Sequence, residues 1–198
     1  MNLRKTSLSV IILLLFAVFA NAQFSTPDAR AKKSDEILKK IRQIDLLNQI
    51  LPVVMTKDQM KKILPAVEKA RVEVRKAEQE EFEFLLKLDK DLDISLKEGI
   101  EKGKVPEREA LVNIAAALRT LGLKRAAVVQ ENTDTVQAEL EKVLNEGQIK
   151  AARNALLPSN FDPTIDPKKI TDDQKFKFWV RTILLDPLSY DLLVKLSK

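Results

Sequence analysis

The stretch V-V-M-T-K-D-Q-M-K-K-I-L-P, residues 53–65, sets an apolar residue, then Thr, then Gln three places later. A helix start leaves about four backbone N–H groups without partners. A Thr at the N-cap accepts from one of them, and a Gln three residues on reaches back to the cap's own N–H. Thr56 and Gln59 have this spacing. So do Asn145 and Gln148 in V-L-N-E-G-Q-I-K, residues 143–150, and Thr171 and Gln174 in I-T-D-D-Q, residues 170–174. Met55, Leu144 and Ile170 precede the three caps, where a hydrophobic staple begins. One phrase therefore marks three helix starts, and the fold reading grows from them.

Working outward, residues 23–33 carry no period and read as a mobile arm. Ser34 or Asp35 can cap a first helix, with Ile37, Ile41, Ile44, Leu47 and Leu51 as one apolar face and Pro52 at its end. The second helix is expected over 57–97, its seam running from Met60, Ile63 and Val67 to Leu85, Leu88, Leu92 and Leu96. Its length of about 60 Å at ~1.5 Å per residue predicts an elongated shape. Pro65 inside it predicts a kink or a late start. E-G-I-E-K-G-K, residues 98–104, breaks the pattern, and Pro106 suits the first turn of a third helix. That helix carries Leu111, Ile114, Leu118, Leu121, Val136 and Leu140. Gly122 and E-N-T-D-T, residues 131–135, are expected to weaken or bend it. The two long helices should form an antiparallel hairpin. A fourth helix is expected over 146–157, a Pro-rich connector over 158–170, and two short helices over 171–198, with Trp179 anchoring the tail on the hairpin. No alternating strand pattern occurs. The expected class is all-α: a long helical hairpin with shorter flanking helices and a helical tail.

Arg4 and Lys5, an apolar run over 8–20 and Ala20-Asn21-Ala22 match an export signal cut after Ala22. No stable membrane anchor is expected after cleavage, and the chain has no Cys for a lipid. Removing Arg4 and Lys5 takes the formal charge from +5 to +3, too little to argue for nucleic acid. The chain has no His and no Cys, which excludes the usual zinc ligands, a Cys nucleophile and an imidazole base. D-K-D-L-D, residues 89–93, opens like a calcium loop. It fails where the loop needs Gly (Ile94) and a bidentate Glu (Ile100). The carboxylates of E-Q-E-E-F-E-F, residues 78–84, point around the helix, so no acid–base pair is desolvated. No enzyme activity, metal or cofactor is expected.

Residues 72, 75, 79, 82 and 86 form a second stripe beside the main seam of the second helix. Val72, Arg75, Phe82 and Leu86 lie on it, with Lys76 and Lys90 nearby. Such a stripe either packs on the first helix, the tail or a second subunit, or forms an open apolar and basic binding surface.

The ordering of an export signal, a short helix, a Thr-x-x-Gln helix, a long hairpin and a second motif copy resembles the Spy/CpxP family of periplasmic proteins, known for paired Leu-Thr-x-x-Gln motifs. The similarity covers residues 34–157. Met55 stands in place of Leu, Asn145 in place of the second Thr, and the segment after Pro158 has no counterpart. The resemblance implies a periplasmic or secreted homodimer that holds unfolded or aggregation-prone envelope proteins without ATP. The stripe at Val72, Arg75, Lys76, Phe82, Leu86 and Lys90 would meet clients, while Thr56, Gln59, Asn145 and Gln148 would fix helix ends. A second expectation is an envelope interaction or stress-sensor-modulating protein with one specific partner.

Overall fold

The computed structural model describes residues 29–156, 158, 166 and 168–198. The expected leader, the first part of the expected arm and most of the connector lie outside these residues. Among the described residues the chain is helical, with no strand. In order come α1 (Ala29–Ile50), a 3-10 turn (Leu51–Val53), α2 (Lys57–Lys102), α3 (Arg108–Val143), α4 (Glu146–Ala155), α5 (Asp172–Trp179) and α6 (Ser189–Leu196). A π-helical turn, Val180–Leu184, continues α5. Contacts divide the chain into two units at Arg42 and Gln43, within α1. The described part of the first unit is the solvent-exposed opening of α1.

All three phrases open helices with complete capping boxes, on Thr56, Asn145 and Thr171. Pro65 does not delay α2, which begins at Lys57 and is helical throughout its 46 residues, about 70 Å at ~1.5 Å per residue. It also runs five residues further than expected. Gly103 ends it in the left-handed region, at φ 62°, where glycine meets no steric cost. Pro106 falls ahead of α3, whose cap is Glu107, so it does not occupy the first turn. Gly122 and E-N-T-D-T leave α3 helical over its full 36 residues.

α2 and α3 pack as the expected hairpin. Its core lies at one end, where α4, α5, the π turn and α6 also pack. There α2 buries Met60, Ile63, Val67 and Ala70, and α3 buries Val136 and Leu140. Each of these side chains larger than Ala70 contributes about 1.5–3 kcal/mol on full burial. Trp179 and Phe176 are wholly buried in the same cluster and stack with centroids 6.2 Å apart, so the tail is anchored by Trp179. The π turn is closed by Leu185 N–H donating to the Val180 carbonyl at 3.0 Å. The Ser189 hydroxyl donates to the Ile183 carbonyl.

Two apolar faces read from the sequence are not sealed. In α1 the residues taken from the second unit into the core are Leu46 and Ile50, followed by Val53. Of the apolar face read from the sequence, Ile37, Ile41, Ile44 and Leu51 are exposed, and Leu47 is half-buried. α1 also starts at Ala29, so residues 29–33 are helical where the arm was expected. In the hairpin, the seam stays helical beyond Ala70 but is not sealed: Leu85, Leu92 and Leu96 are 39%, 38% and 62% exposed. No further helix is packed over that part of the seam among the described residues.

Candidate functional site

The first two motif copies meet. Thr56 N–H donates to Gln59 Oε1 at 2.9 Å, and Gln59 N–H donates to Thr56 Oγ1 at 3.1 Å. Asn145 N–H and Gln148 Oε1, and Gln148 N–H and Asn145 Oδ1, repeat this at 3.1 and 2.9 Å. Each glutamine amide then donates to the other's Oε1 at 2.9 Å. The remaining N–H of Gln59 reaches the Val143 carbonyl at 2.8 Å, and that of Gln148 reaches the Val54 carbonyl at 2.9 Å. Each accepting carbonyl lies two residues before the opposite cap, so the arrangement has local two-fold character. Both donors and both acceptor positions of each amide are used. The 89-residue separation closes into a clasp at the base of the hairpin.

Val54 is shaped by this clasp. It sits at φ 53°, ψ 46°, a region that costs a β-branched residue about 1–3 kcal/mol. Its side chain is 74% exposed, while its carbonyl is held by Gln148. The third copy is different. Thr171 and Gln174 make their reciprocal bonds at 2.9 and 3.2 Å, and among the described residues no second glutamine joins them. It is a helix start alone.

The stripe on α2 is exposed along its length. Val72, Phe82 and Leu86 are 45%, 56% and 53% exposed. Lys76 and Lys90 are exposed beside them. Arg75 is not an unpaired cation, because its Nη2 lies 2.9 Å from Glu68 Oε1. Its hydrogen bond, more than burial or the neighbouring Arg71, sets the Glu68 carboxyl, which is held below its ordinary value. α6 reaches α2 just before the stripe, where the Arg71 guanidinium lies 4.3 Å from the centre of the Tyr190 ring. The stripe itself remains open.

Sequence reasoning missed the polar ties that hold the hairpin's base. Asn132 and Thr133, from the run expected to weaken α3, are buried. Asn132 Nδ2 donates to the Ala70 carbonyl on α2 at 3.1 Å, and Thr133 Oγ1 donates to the Val129 carbonyl at 2.7 Å. Lys177 of the tail pairs with Asp134 of α3 at 3.0 Å, an ion pair that no local spacing reveals. Further out, Arg125 grips Glu81 with both ends of its fork, at 2.5 and 2.6 Å. A cleft of about 510 Å³ beside the tail is lined by Lys169, Lys177, Arg181 and Phe178, among others. Among the described residues no group of His, Cys, Asp or Glu is placed to hold a metal, and no helix is long and apolar enough to cross a membrane. The acidic residues of 89–93 are solvent-exposed.

Comparison with family models, with curated proteins and with solved structures finds no match.

Proposed function

We propose that this chain is an exported, ATP-independent holdase-type chaperone that takes unfolded or aggregation-prone envelope proteins on the open face of α2. The observation that carries the reading is Phe82 and Leu86, one turn apart and each more than half exposed. Val72 extends the apolar face, and Lys76 and Lys90 border it with positive charge. Weak apolar contact with charge steering suits a surface that must release its client. Because Arg75 is paired with Glu68, the lysines and not the arginine supply that charge. The hairpin provides the platform, and the clasp holds its base in place without touching the client.

The test is light scattering of an aggregating client with purified protein and no ATP. Suppression near equal stoichiometry is expected, weakened several-fold by Phe82→Ser with Leu86→Ser. Both side chains are exposed, so the double substitution leaves the fold intact. Absence of suppression over a wide range of ratios overturns the reading and leaves the stripe to a single specific envelope partner.

A further inference from the structure

One side of the hairpin continues past its core. Two links fix the directions in which α2 and α3 face each other: Asn132 donating to the Ala70 carbonyl, and Arg125 paired with Glu81. At about 100° per residue, the core residues Ile63 and Val67 stand roughly 20–60° round from Ala70, and Val136 about 40° round from Asn132, in one sense. Leu85, Leu92 and Leu96 stand roughly 20–60° round from Glu81, and Leu111, Leu118 and Val129 about 20–40° round from Arg125, in that same sense. The helices run antiparallel, so one sense of rotation on both leads to one side of the pair. At the base α5, the π turn and α6 pack on the hairpin, in one cluster with these core residues. Further out, the apolar residues of that side are between 38% and 62% exposed and line an open groove.

The groove has walls of opposite charge. Asp89 and Asp93 stand about 80–120° round from Glu81, and Arg108 and Arg119 about 100–120° round from Arg125, again in the same sense. All four are exposed, and none is in an ion pair among the described residues. No opposite charge shares either rim over 82–100 or 108–126. Gly122 lies on the floor, about 60° round from Arg125. A Cβ there would meet nothing within 4 Å. Glycine weakens a helix interior, and the packing of this chain does not need the space. A second backbone laid closely against α3 does need it. We propose that the groove seats an amphipathic helix of another protein. Its apolar face meets the leucines, a basic edge lies toward Asp89 and Asp93, and an acidic edge lies toward Arg108 and Arg119. The stretch from Leu111 to Val129 is about 27 Å long, room for a helix of about 18 residues. The groove differs from the stripe of the proposed chaperone, whose Val72 and Leu86 stand roughly 140–200° round α2 from its α3-facing direction.

The proposal does not rest on client capture, and its test is read separately from light scattering. The probe is a labelled synthetic peptide of about 18 residues with leucines on one helical face, lysines along one edge and glutamates along the other. It is titrated with the full chain and followed by fluorescence anisotropy. Saturable binding at equal stoichiometry is expected, with helix content rising on mixing. The same residues reordered to scatter the leucines around the helix should bind about tenfold more weakly. Peptides with both edges lysine or both edges glutamate should also bind several-fold more weakly, because each meets one wall of like charge. Arg108→Glu with Arg119→Glu makes both walls acidic and should turn the all-lysine peptide into the tightest of the set. Gly122→Leu fills the floor. It should raise the thermal midpoint, since leucine favours helix, and yet cost about tenfold or more in binding. A merely structural Gly122 would not separate these two readouts. Binding by none of the peptides overturns the proposal, as does binding that ignores leucine spacing or survives Gly122→Leu. Self-association of the chain that Gly122→Leu abolishes, seen by sedimentation velocity, also overturns it and makes a second copy the occupant.

Discussion

Gln59 and Gln148 each use a single amide to cap a helix, bind each other and hold a carbonyl two residues before the opposite cap. Replacing one by Leu strands the partner amide, one carbonyl and one cap N–H together. Buried groups left without partners cost about 1–3 kcal/mol each, although solvent reaches part of this site. We expect Gln148→Leu to destabilise the protein by roughly 2–4 kcal/mol in denaturant unfolding. Gln174→Leu, which opens only a local box, should cost about 1 kcal/mol or less. The double substitution Gln59→Leu with Gln148→Leu should fall short of the sum of the singles by about 1–2 kcal/mol, the coupling of groups in direct contact. Additive effects would mean that the two boxes act separately. The caps were legible in the sequence because a capping box is a four-residue rule. Their union was not, because it depends on two segments brought together by the fold.

At the scale of the element, the same helix behaves differently along its length. Ile63 of α2 is wholly buried, whereas Leu96, on the same seam, is 62% exposed. Ile63→Ala should therefore cost about 2–5 kcal/mol. Leu96→Ala should stay within about 1 kcal/mol, as measured by chemical denaturation. Equal costs would mean that the far half of the hairpin is covered in solution. Periodicity pointed to helix over 57–97, but it carries no information on what lies above a seam. In α1 two apolar faces compete, and the one with three isoleucines reads more strongly than the one holding Leu46 and Ile50. The winner inside was decided by the partners that Leu46 and Ile50 meet. The run at 131–135 misled for a related reason. Asn and Thr are weak helix formers; Thr133 bonds back to the Val129 carbonyl within α3, and the buried bond of Asn132 to the Ala70 carbonyl becomes visible only when α2 and α3 are side by side.

For the whole molecule, the absence of His leaves no imidazole to titrate near neutrality. The Glu68 carboxyl is lowered from 4.5 by its hydrogen bond to Arg75, and Glu98 from 4.5 by that to Lys104. Asp134 is lowered from 3.8, first by the Gln130 amide and then by Lys177. A depressed carboxylate stabilises the fold above its ordinary value, and the gain disappears as pH falls through the lower folded value. Lys104 and Lys177 are raised above 10.5 by hydrogen bonds to Glu98 and Asp134, so their contribution is full below 10.5 and lost above it. Lys104 and Asp134 are exposed and Glu68, Glu98 and Lys177 are partly so, so solvent screens all five and the slopes should be shallow. Thermal melts should show a plateau between about pH 5 and 9, with a decline below pH 4.5 and another above 10.5. A midpoint that shifts steeply near pH 6.5 would contradict this account. The open half of the hairpin has one more consequence. Since its two helices there pack on each other, with no third helix laid over them among the described residues, their length is not tied to the core. Removing about 18 residues, five turns, from each helix of the hairpin would return every surviving side chain to its own face. Reach is then a quantity that insertion and deletion can tune like the length of a lever arm, while the fulcrum at Gln59 and Gln148 stays put.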